Sequence, residues 1–217
     1  MNPSPAGLRR TVPRLQLVTD RRQCGDRPLA AIVAEAAAGG LGAVQLREKD
    51  LPAAALLALA QELRHVAPDT PLLINDRVDV ALAVGADGVH LPADGLPIAV
   101  VRRLLGPDAV VGRAVHAVAE AERAEAEGAD YVMLGTIFAT ASKPGREPGG
   151  LDLVRAAARA VRIPVIAIGG IDERNVAATI GAGAYGVAVM SAILRAPAPA
   201  AVVERLQEII AREGAWR

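Results

Sequence analysis

The sequence predicts a single-domain (β/α)8 TIM barrel of the α/β class, on three observations. Eight short runs of aliphatic and β-branched residues recur along the 217 residues. Ala-rich segments of helical period separate them, the alternation that a parallel sheet with crossover helices produces. No Ser/Gly-rich or charged linker divides the chain, so residues 13–217 are expected to form one domain behind a flexible segment at residues 1–12.

In chain order the strand candidates are RLQLVTD, AVQLRE, PLLIND, GVHL, VVGRAV, YVMLGT, PVIAIG and GVAVMS. Each is short and rich in strand-forming residues. A helical stretch follows each, from PLAAIVAEAAA after the first to APAAVVERLQEIIAR at the end. The phrases GADG and GADY act as helix stops before the fourth and sixth strands. A doubly wound open sheet is the rival, but no G-x-G-x-x-G follows the first strand, where LVTDRRQCGD stands.

Composition narrows the partners. Lys+Arg and Asp+Glu are both 24, and Tyr131, Phe138, Tyr185 and Trp216 are the only aromatics. Neither the electrostatic pull nor the stacking platform of a nucleic-acid binder is present. Cys24 is the sole cysteine, which excludes an intrachain disulfide and a cysteine-based zinc site. The start MNPSPAGLRR lacks the apolar core of a signal peptide, and the longest apolar run, AAALLALA, is too short to span a bilayer. A cytoplasmic protein is expected, with a small-molecule partner, no nucleic acid and no membrane, and with room for a homo-oligomer.

In such a barrel the functional groups gather where the strands end, because parallel strands send all the following loops to one mouth. The strand ends supply Thr19 and Asp20; Gln45, Arg47 and Lys49; Asn75 and Asp76; His90; and His116. The last three strands add Thr136, Thr140, Ser142 and Lys143; Gly169 and Gly170; and Ser191. Lys49 and Lys143 are the only lysines in an arginine-rich chain. Their shared position at the rim suggests a need for a compact ammonium against an anion. Gly169-Gly170 and Ser191 follow strands 7 and 8, where backbone amides at a helix start bind phosphate in these barrels. The stretch GTIFATASKPGREPGG (135–150) is the longest aperiodic segment and reads as a lid.

The histidines differ by position. His65 is read as a surface residue of the second helix, and His90 as either a buried hydrogen-bonded group or a catalytic one. His116 ends strand 5 just before a helix, and an imidazole at the mouth suits proton transfer near neutral pH.

The motifs VQLREKD, INDRVDVALAVGADGVHLP, GADYVMLGTIFATASKPG, IPVIAIGGI and VAVMSAI, in this order, resemble the thiamine phosphate synthase and TenI superfamily from about strand 1 to the last helix. In the synthase a pyrimidine diphosphate is joined to a thiazole phosphate with release of pyrophosphate. The resemblance implies that Gln45, Arg47, Lys49, Asn75, Asp76, Thr140, Ser142 and Lys143 hold the diphosphate and Mg²⁺, with Gly170, Met190 and Ser191 at the thiazole phosphate. Two positions depart from the family. After strand 4 the synthase pattern H-x-G-Q-x-D becomes His90-Leu91-Pro92-Ala93-Asp94-Gly95, with glycine at the second metal carboxylate, and after strand 5 the serine of S-x-H is Ala114. Asp76 is then the metal ligand left in the pattern.

These departures and the HLP wording look like TenI proteins, whose thiazole tautomerase activity moves an exocyclic double bond into the ring. The leading expectation is therefore a tautomerase without cofactor, with His116 as general acid/base. The alternatives are an active, Mg²⁺-dependent thiamine phosphate synthase, and a regulatory protein that binds thiamine phosphates without turnover.

Overall fold

The computed structural model describes residues 11–140, 145 and 147–213. All eight expected strands form: β1 (Leu15–Val18), β2 (Ala43–Leu46), β3 (Leu72–Asn75), β4 (Gly88–Leu91), β5 (Val110–Val115), β6 (Tyr131–Gly135), β7 (Val165–Ile168) and β8 (Gly186–Val189). Each pairs in parallel with its sequence neighbour, and β8 pairs back onto β1 through Leu15–Val187 and Leu17–Val189, so the barrel closes in chain order.

The connecting helices are α1 (Leu29–Ala38), α2 (Ala53–Val66), α3 (Val78–Val84), α4 (Ile98–Leu105), α5 (Val118–Ala126), α6 (Gly150–Ala160) and α7 (Val176–Gly181). Two helices follow β8 instead of one: the four-residue α8 (Ser191–Leu194) and α9 (Pro199–Arg212). A 3₁₀ turn at Arg21–Gln23 precedes α1. Pro28, Pro52 and Pro97 stand at the N-caps of α1, α2 and α4, where a fixed φ suits the helix entry and the missing N–H leaves no donor unpaired.

Side chains alternate between two cores, as strand geometry requires. Leu15, Leu17, Leu46 and Ile74 face outward and pack with Ile32, Leu63 and Leu206 of the helices. Val18, Leu73, Tyr131, Met133 and Ile166 face inward and fill the barrel. Val12, assigned from the sequence to the flexible segment, is buried and its carbonyl accepts the Tyr185 hydroxyl at 2.8 Å.

The Gly-Ala-Asp phrases do more than stop helices. Gly85 ends α3 with φ 63°, and Asp87 then accepts Leu72 N–H and Arg64, both at 2.8 Å. Asp130 repeats the device two βα units later, accepting Val111 N–H and Arg102 at 2.7 Å. Each carboxylate thereby satisfies a donor in the first two residues of the preceding strand and an arginine of a helix beside it. The ends opposite the mouth are locked in place.

Candidate active site at the barrel mouth

A cavity of about 660 Å³ opens where the strands end. Gln45 from β2, Arg47 and Lys49 from the loop after it, Asn75 from β3 and His90 from β4 form one wall, while His116, Thr140, Gly169, Gly170, Met190 and Ser191 line the other side. Ser142 and Lys143 lie outside the described residues. Every other residue singled out from the sequence as a substrate contact therefore meets at one cavity, and so does His116.

The β2 wall is built from the loop after β1. Thr19 is buried, and its hydroxyl accepts the Arg47 N–H at 2.9 Å. Glu48 is turned away from the cavity and buried: its carboxylate accepts the Arg21 N–H at 3.0 Å and the Arg21 guanidinium at 3.0 Å. Asp50 takes the same guanidinium in a two-pronged contact at 2.8 and 2.6 Å. This contact holds the Asp50 carboxyl down at about 2 and raises the guanidinium above its ordinary range. Among the described residues no carboxylate pairs with Arg47 or Lys49.

Deeper, the Gln45 amide donates to Asn75 Oδ1 at 3.1 Å, which leaves its buried Oε1 without a partner. His90 is buried, with Nδ1 3.2 Å from the Tyr131 hydroxyl and the two rings stacked. Burial, with Arg113 and Arg47 nearby, pushes its pKa down to about 3, so it is a neutral imidazole at the cavity. His116 donates Nδ1–H to the Gly135 carbonyl, and its backbone N–H is held by Glu120 at 2.6 Å. Because a carbonyl only accepts, Nδ1 is the nitrogen that carries the proton in this contact.

Two expectations about carboxylates change. Asp76 is exposed and is absent from the cavity lining, at the centre of a three-residue turn with φ 66° and Arg77 N–H donating to Asn75 O at 2.7 Å. Asp94, the residue before the glycine at the second metal carboxylate position, lines the cavity. The loop turns at Pro92, whose carbonyl accepts Gly95 N–H at 3.0 Å, and a Cβ at Gly95 would lie 2.8 Å from Pro92 Cδ. Arg113 fixes this turn: its buried guanidinium donates to Pro92 O and Leu96 O at 2.8 Å and to Gly95 O at 3.3 Å. Asp94 therefore lines the cavity although glycine stands at the aligned position.

Gly169 and Gly170 also differ from expectation. α7 begins only at Val176, so the pair forms a loop rather than a helix start, with φ 106° and 65°. A Cβ on Gly170 would meet Ala139 O at 2.6 Å, so this glycine is needed for close packing with the β6–α6 loop. Ser191 does open a helix, the short α8.

Asp20, Arg22, Gln23 and Arg195 also line the cavity. Of these only Asp20 was noted in the sequence. Arg22 and Gln23 sit in the polar run TDRRQ directly after β1, and that run was the available signal. Arg195 follows α8 without any pattern to mark it.

A family model described as thiamine monophosphate synthase matches residues 15–193. The chain belongs to that family. A thiamine-phosphate synthase of Roseiflexus castenholzii is 44% identical over 221 residues, covering 98% of this chain and 97% of that one. A putative thiamine-phosphate synthase of Geobacter sulfurreducens is 50% identical over 188 residues, covering 85% and 88%. Among solved structures, thiamine phosphate pyrophosphorylase from Pyrococcus furiosus shares 36% identity with a TM-score of 0.83, over 93% of this chain and 97% of that one. Membership makes the chain an enzyme of thiamine biosynthesis, and the relatives' names back the synthase alternative better than the tautomerase reading. Among the described residues no helix is long and apolar enough to cross a membrane.

Proposed function

We propose that this family member is a thiamine-phosphate synthase, joining a pyrimidine diphosphate to a thiazole phosphate. The observation that carries the reading is the presence of Asp94 at the same cavity as the carboxylate-free cations Arg47 and Lys49. A tautomerase has no diphosphate and no use for that combination.

In the reaction the bond between the pyrimidine methylene and its diphosphate oxygen breaks, and that carbon bonds the thiazole nitrogen. Pyrophosphate leaves with the electron pair. Charge grows on the departing oxygen, so Arg47 and Lys49 act by opposing it in a site they already occupy. Gln45 Oε1 and His90 present polar groups from the floor to orient the ring, and the amides near Gly170 and Ser191 hold the thiazole phosphate.

Mg²⁺ fits the donors present. Among the described residues no group of three or more His, Cys, Asp or Glu gathers to hold a metal alone, whereas Mg²⁺ bound with a phosphorylated substrate uses one or two carboxylates plus phosphate oxygens and water. Asp94 would hold it, while Asp76 is exposed and outside the cavity lining. When bound it would offset diphosphate charge.

The second reading, the tautomerase, is favoured by His116 alone, an imidazole that lines the cavity. Supplying the protein with carboxythiazole phosphate alone, and separately with the pyrimidine diphosphate plus thiazole phosphate, decides between them. The proposal expects thiamine phosphate from the second mixture. Isomerisation in the first with no product in the second would replace it with the tautomerase.

A further inference from the structure

Arg47-Glu48-Lys49-Asp50 is a run of alternating charge that would neutralise itself if left alone. Only the two cations line the cavity. The separation comes from Arg21, which lies on the neighbouring loop and does not line the cavity itself. Its guanidinium binds Glu48 Oε2 at 3.0 Å and both oxygens of Asp50, and its backbone N–H reaches Glu48 Oε1 and Oε2 at 3.0 and 3.2 Å.

The Glu48 side chain is only 1% exposed, so its carboxylate needs charge compensation, and among the described residues Arg21 is the cation that pairs with it directly, with Arg22 adding a longer-range attraction. We infer that Arg21 is a positioning residue for diphosphate recognition: it draws Glu48 and Asp50 to the outer side of the β2 loop and leaves Arg47 and Lys49 uncompensated toward the cavity. Without it, Glu48 is freed next to both cations in the chain and Asp50 next to Lys49. They compete directly with the anion that the cations are meant to bind. The β1 loop thus sets the charge that the β2 loop presents, and the cluster holds three cations against two carboxylates.

The inference rests on the diphosphate reading of the site, and the test separates the two. Inorganic pyrophosphate with Mg²⁺ is titrated calorimetrically into the wild type, Arg21→Ala, Arg21→Lys and the triple variant Arg21→Ala/Glu48→Gln/Asp50→Asn, with folding checked by circular dichroism. The Ala variant should bind about tenfold or more weakly, the scale of losing charge-assisted contacts. Lys, which keeps a charge but not the two-pronged fork, should fall between it and the wild type. The triple variant should bind more tightly than Arg21→Ala, because the competing charges are gone. A residue that merely braced the loop would leave the triple variant as weak as the single one, and that result overturns the inference, as does wild-type affinity in Arg21→Ala. Failure of the wild type itself to bind pyrophosphate would instead sink the diphosphate reading.

Discussion

The Arg113 guanidinium on β5 donates to the Pro92 carbonyl at 2.8 Å, and this contact sets where Asp94 stands. It is one of three donations that tie the β4–α4 loop to the neighbouring strand. Burial lowers the pKa of the guanidinium, a cost offset by its carbonyl partners and, at 3.9 Å, Glu127. Arg113→Met should remove the donors while keeping the bulk. Stability should drop by about 1–3 kcal/mol, the scale for leaving buried acceptors unpaired, and the Mg²⁺ concentration needed for half-maximal activity should rise. Urea unfolding and a metal titration of the rate check the two effects.

Asp94→Asn should lower the Mg²⁺-dependent rate by about tenfold or more, as expected when a charged ligand is lost. Moving the carboxylate to position 95 should not compensate. Gly95→Asp places a Cβ against Pro92, so the turn must shift and stability should fall. A double variant Asp94→Asn/Gly95→Asp that matched wild-type turnover would contradict this placement.

His116→Ala distinguishes proton chemistry from diphosphate displacement. Bond exchange at the methylene needs no proton from the protein, so condensation should fall by less than about tenfold, well short of the usual ~10²–10⁴ for a lost acid/base. Steady-state rates of the variant and the wild type with saturating substrates make the comparison.

His90 provides a pH signature. Its folded pKa is depressed to about 3 from 6.5, so between these values the unfolded chain binds a proton that the native one does not. Stability from this site is fully present above about 6.5 and is lost as pH falls toward 3, at up to about 1.4 kcal/mol per pH unit. His90→Gln should flatten that slope between pH 4.5 and 6.5 in urea unfolding. An unchanged slope would mean that His90 is protonated when folded.

The sequence was sufficient for the strands because each carries a local signal: a short β-branched run, a stop such as GADG, and polar residues where it ends. GVHL and VVGRAV became β4 and β5 with the same bounds. Most cavity residues were legible for the same reason, since position at a strand end fixes which way a side chain goes. The misplacements arose where loops rather than strands decide geometry. Asp94 lines the cavity on a turn held by Arg113 through contacts 17 to 21 residues away in sequence, and no pattern in PADG discloses it. Arg21 and Glu48 are likewise joined across 27 residues, and each reads locally as a surface charge. Arg113 did leave a trace, a charge inside the apolar run VVGRAV.

The most direct measurement follows pyrophosphate and thiamine phosphate together while the purified protein is given the pyrimidine diphosphate, the thiazole phosphate and Mg²⁺. The two products should appear one for one, only with both substrates present, and should cease on removal of the metal. Pyrophosphate released without thiamine phosphate, or neither product while carboxythiazole phosphate is isomerised, would contradict the assignment of this site to condensation.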